Sequence, residues 1–69
     1  MILNKRQEIG KKLKERRQQL NLEQADLQDY ANISAATLSN IERGKANFTI
    51  DKLLSIMEVL GLELELKIR

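Results

Sequence analysis

Apolar residues in this chain follow a helical period up to Gly61 and a period of two after it. From Lys5 onward, Ile9, Leu13, Arg16, Arg17 and Leu20 recur at three- and four-residue spacing, which predicts a first helix over roughly 5–20. Asn4, followed three residues later by Gln7, has the form of a capping box, and Asn21 is a residue type that tolerates a left-handed stop. A second helix is expected from Glu23 to Ala31, with Leu27, Tyr30 and Ala31 turned inward. Its first turn carries Glu23 and Asp26, where the helix dipole favours acid. Asn32 repeats the left-handed stop. Ser34 caps a third helix through its hydroxyl, Leu38 and Ile41 form that helix's buried side, and Gly44 ends it. Thr49 caps a fourth, whose Leu53, Leu54, Ile56, Met57 and Leu60 make a broad apolar face closed by Gly61.

Beyond Gly61, Leu62, Leu64, Leu66 and Ile68 alternate with Glu63, Glu65, Lys67 and Arg69, the strongest strand pattern in the chain. The expected division is therefore a helical domain over 1–61 and a C-terminal strand over 62–69. A lone strand leaves a row of backbone donors and acceptors without partners. Pairing with the same strand of a second copy answers that need. In an antiparallel pair, Glu63 and Glu65 of one copy approach Lys67 and Arg69 of the other, and Leu62, Leu64, Leu66 and Ile68 form the dimerisation row.

Size strengthens the expectation of a dimer. A chain of 69 residues buries only about 60% of its unfolded surface, and proteins this small usually need a disulfide, a metal or a partner subunit. Cys and His are both absent, so a common zinc site, a cysteine nucleophile and histidine acid–base chemistry are not available. Ser34, Ser39 and Ser55 have no imidazole to activate them, and no metal, cofactor or enzymatic role is expected. The first residues, Met1-Ile2-Leu3 followed by charge, contain no apolar run of signal-peptide length, and no stretch is long enough to span a bilayer, so a cytoplasmic protein is expected.

Charge is unevenly distributed around a net +2. Residues 1–20 carry +5, residues 21–42 carry −4, and Arg43, Lys45 and Lys52 restore a basic segment. Two basic stretches flanking an acidic one suit a protein that touches phosphates at two places, although Lys5, Lys11, Lys12 and Lys14 read equally well as a solvated helix face.

The stretch from Leu22-Glu23-Gln24-Ala25-Asp26-Leu27 through Ile33-Ser34 to Ile41-Glu42-Arg43-Gly44-Lys45 resembles the XRE family of helix-turn-helix repressors, the phage repressor and Cro type. Leu53-Leu54 and Leu60-Gly61 stand at that family's usual distances, and the likeness covers residues 9–62. It implies an all-α, lambda-repressor-like helix-turn-helix domain of four to five helices, here with a C-terminal β-strand that pairs across a dimer. It also implies sequence-specific repression, with the third helix entering the major groove of double-stranded DNA.

By position in the family motif, Ala35, Ala36 and Asn40 match base-reading residues, and Ser39 shares their face, opposite Leu38 and Ile41. Asn40 suits bidentate pairing with adenine, and the alanine methyls suit thymine methyls. Gln24 matches a phosphate-contacting glutamine that steadies the recognition helix. Thr37, Arg43, Lys45 and Asn47 complete the expected phosphate contacts, while Arg17 and Glu42 are implied to form an internal ion pair.

Two positions depart from the family pattern: Gln28 stands where a small Ala is usual, and Asn32 replaces the turn Gly. The recognition helix also has no Arg, Lys or Gln before Arg43, which shifts weight toward groove shape and DNA bending. The tail narrows the resemblance further, to HipB-type antitoxins, which implies an autoregulating operon and a HipA-like kinase toxin as partner. A free-standing phage-type repressor, and a protein-interaction module that holds a kinase without reading DNA, are the alternatives.

Overall fold

The computed structural model describes residues 5–45, 48–66 and 68. Four helices follow one another: α1 (Lys5–Gln19), α2 (Gln24–Ala31), α3 (Ala35–Glu42) and α4 (Ile50–Leu60). Their ends are set by local chemistry. Asn21 and Asn32 sit at φ 59° and 55°, so both asparagines make the left-handed turns that close α1 and α2. Ser34 Oγ accepts from the Thr37 N–H at 3.1 Å, and Thr49 Oγ1 accepts from the Lys52 N–H at 3.2 Å, each satisfying an otherwise orphaned donor. Gly61, at φ 70°, stops α4. The Asn4 cap lies outside the described residues.

All four helices turn their apolar stripes onto one core of Leu13, Leu27, Leu38, Ile41, Leu53, Ile56, Met57 and Leu60. α1 packs on α3 and α4, and α2 packs on the same two. Ile9, Leu22, Ala31, Ile33, Phe48, Val59 and Leu62 close the margins of this core.

Two residues expected to point inward do not. Tyr30 is 68% exposed because α2 buries the Leu27–Ala31 line, and Tyr30 falls to one side of it. Leu54 lies about 100° around the helix from Leu53, off the stripe formed by Leu53, Ile56, Met57 and Leu60, and it is exposed. Leu20 follows the last residue of α1 and is also exposed.

Among the described residues there is no strand. Leu62 is anchored, with its N–H donating to the Met57 carbonyl at 2.8 Å, but Leu64, Leu66 and Ile68 beyond it are 51%, 88% and 102% exposed. The single chain thus leaves the alternating row of the tail uncovered. Among the described residues no helix is long and apolar enough to cross a membrane.

Candidate nucleic-acid interface

α3 buries Leu38, Ile41 and Glu42, and three other parts of the chain hold its far end in place. At its C-terminal end Glu42 is buried and forms a two-point ion pair with buried Arg17 of α1. Nε to Oε2 is 2.7 Å and Nη2 to Oε1 is 3.1 Å. The third guanidinium nitrogen, Nη1, donates to the Leu22 carbonyl at 2.8 Å, while the Leu22 N–H donates back to the Arg17 carbonyl at 3.1 Å. Gln24 adds a bond from Nε2 to Glu42 Oε1 at 2.9 Å. Arg17 therefore joins α1, the α1–α2 turn and the end of α3.

Among the described residues no buried side-chain N or O lacks a hydrogen-bond partner, the condition under which a buried ion pair is tolerated. The bond to Glu42 holds the Arg17 guanidinium above its ordinary pKa against the opposing effect of burial. Arg17 is thus charged at every pH where the protein is handled.

Two glycines let α1 approach this closely. A Cβ on Gly10 would stand 2.7 Å from the Glu42 carbonyl oxygen, and one on Gly44 would stand 2.5 Å from the Gln7 Cα. Gly44 also holds φ 70°, where a side chain is strained. α1 is therefore seated directly against the last turn of α3 and the bend that follows it. The sequence reading missed Gly10, although a glycine inside a helical pattern is itself a sign of close packing. It also missed Arg16, whose Nε donates to the Leu60 carbonyl at 2.9 Å and so caps the end of α4.

With its inner face fixed by fully buried Leu38 and Ile41, α3 exposes Ala35 and Ala36 and leaves Ser39 and Asn40 half-buried at the rim. Thr37 is also half-buried, and its hydroxyl accepts from Ser34 Oγ at 2.8 Å. Past the helix Arg43 and Lys45 are exposed, with the Lys45 N–H donating to the Asn40 carbonyl at 2.9 Å. The structure so brings Ala35, Ala36, Ser39, Asn40, Arg43 and Lys45 to one helix and its exit. Gln24 sits at the start of α2 and reaches the same helix through Glu42. Asn47 lies outside the described residues.

The departures from the family pattern are accommodated. Asn32 makes the turn at φ 55°, and the Gln28 carbonyl accepts from the N–H groups of both Asn32 and Ile33. Gln28 is itself half-buried.

Two helices joined through Asn32, Ile33 and Ser34, the second of them capped and presenting small side chains outward, define a helix-turn-helix DNA-binding domain. The helix-turn-helix family model matches residues 13–67. The chain belongs to that family, the XRE-type regulators, and is a DNA-binding transcription regulator. No curated protein and no solved structure gives a significant match.

Proposed function

We propose that this regulator is a repressor that binds a palindromic operator as a homodimer, with α3 of each protomer in the major groove. The observation that carries the reading is the outward face of α3, small and polar on a helix whose far end is fixed by a buried ion pair. Asn40 pairs with a base edge, Ala35 and Ala36 meet thymine methyls, and Ser39 lies beside them. Arg43, Lys45, Thr37 and the second amide N–H of Gln24 reach phosphates and set the register.

The uncovered row of Leu64, Leu66 and Ile68 supports the dimer, since two tails paired antiparallel remove both the exposed edge and the exposed apolar surface. Such a dimer carries its recognition helices about 34 Å apart, one turn of DNA. The tail's likeness to HipB-type antitoxins favours one narrower role: the regulated operon is the protein's own, and a HipA-like serine/threonine kinase is its partner.

The test is binding to the DNA just upstream of the gene, against scrambled DNA, over a salt series. Tight, palindrome-dependent binding that weakens steeply with salt is expected. Equal weak binding to both duplexes overturns the operator reading. Deleting 62–69 is expected to yield monomers by light scattering and much weaker operator binding, and a dimer of unchanged stoichiometry overturns the tail's role. Failure to co-purify with the product of the neighbouring gene removes the antitoxin role alone.

A further inference from the structure

The lysines of α1 look alike in sequence, but the packing of the helix divides them between two sides. Gly10 and Arg17 mark the line along which α1 meets α3, through the Glu42 carbonyl and the Glu42 carboxylate. Gln7 extends the line to Gly44, the residue between Arg43 and Lys45. At about 100° per residue, Lys14 lies within roughly 60° of that line, and Lys11 follows roughly 60° further around the same exposed flank. Lys5 and Lys12 lie at least about 120° from it, on the side where Arg16 reaches the end of α4. All four are exposed, and Lys5 is additionally within 3.6 Å of the Glu8 carboxylate.

We propose that Lys14 and Lys11 form, with Arg43 and Lys45, a continuous cationic rim that grips the DNA backbone beside the recognition helix, and that Lys5 and Lys12 take no part. The proposal rests on the DNA-binding reading and extends its footprint from α3 and its exit onto α1. The physical reason is the glycine seam. Because Gly10 and Gly44 carry no side chain, α1 stands one backbone away from the loop bearing Arg43 and Lys45, and a lysine stem on the near flank reaches the same strand of phosphates. Of the acidic residues on and near α1, Glu8 sits against Lys5, and the Glu42 carboxylate is held by Arg17. Glu15 is exposed and stands beyond Lys11 on the side away from α3.

The test compares full-length protein with K11Q/K14Q and with K5Q/K12Q, using a random-sequence duplex long enough for two half-sites and measuring binding by anisotropy from low to high salt. Each phosphate contact contributes about 0.9 to the slope of log affinity against log salt. K11Q/K14Q is expected to lower that slope by about 1.8 per bound protomer, with far-UV circular dichroism and melting temperature unchanged, and K5Q/K12Q is expected to leave it as in the wild type. An unchanged slope in K11Q/K14Q overturns the proposal, and so does an equal fall in K5Q/K12Q. Wild-type protein whose binding does not respond to salt overturns the DNA-binding reading instead, so the two failures are told apart in one experiment.

Discussion

Replacing Glu42 by Ala tests whether this domain is held together by its buried ion pair. The substitution removes the partner of Arg17 Nε and Nη2, which bond to it at 2.7 and 3.1 Å, and the acceptor of Gln24 Nε2 at 2.9 Å. Arg17 is only 7% exposed and cannot recover its hydration without α1 leaving α3. Breaking a buried pair in this way costs about 3–5 kcal/mol. A domain of this length has a total stability on the order of 3–10 kcal/mol, so E42A is expected to be largely unfolded or to melt at least about 12 °C lower.

The companion variant R17M/E42L removes both charges and fills their space. Replacing both partners by apolar groups of similar volume is often neutral or better, so it is expected to melt close to the wild type. Thermal unfolding followed by circular dichroism decides between these outcomes. An E42A melting temperature equal to that of the wild type would refute the reasoning. A double variant as unstable as E42A would show that the loss came from packing, or from the Leu22 carbonyl and Gln24 amide left without partners, rather than from a stranded charge. The alkaline limb offers no alternative test. The raised Arg17 pKa gives stability that is complete below the ordinary arginine value and is lost only above it.

Four further outcomes follow from the geometry. G10A would gain helix propensity on an exposed helix, but here its Cβ meets the carbonyls of Ile41 and Glu42, so a net loss of about 1–3 kcal/mol is expected in chemical denaturation, and a gain in stability contradicts the seam. G44A adds left-handed strain of about 1–2 kcal/mol to a collision with Gln7, and its melting temperature should fall at least as far as that of G10A. N40A should keep the wild-type melting temperature and salt slope while losing about 1–3 kcal/mol of preference for operator over scrambled DNA, and an unchanged preference removes Asn40 from base reading. R16A leaves the Leu60 carbonyl without its donor and should cost about 1 kcal/mol in denaturation, whereas no loss would mean that water takes the place of Nε.

Much of the helical frame is legible in the chain because its signals are local. Ser34 and Thr49 cap helices by reaching backbone three residues away, and Asn21, Asn32 and Gly61 are residue types whose own backbone tolerates left-handed geometry. Leu38 and Ile41, three apart, can share one face only if the intervening chain is helical. Periodicity was less informative at the flanks of each stripe. Leu54 is as apolar as its buried neighbours and Tyr30 has a large aromatic ring, and whether they are covered depends on which helices stand nearby. The same limit applied to the site. Ala35, Ala36, Ser39 and Asn40 could be picked out on α3, whereas the attachment of Gln24 to Glu42 and of Arg16 to α4 joins residues far apart in sequence.

By itself, then, the sequence determined the approximate positions of the four helices, the side of α3 that faces outward, the change of period at Gly61 and the family to which the chain belongs. Only the tertiary structure decided that Gly10 and Gly44 seat α1 against α3, that Arg17 spans three segments at once, and that the lysines of α1 divide into two flanks. The physical reason is distance along the chain. Caps and left-handed turns are fixed by interactions within four residues, whereas the meeting of Arg17 with Glu42, 25 residues apart, exists only after the helices have packed.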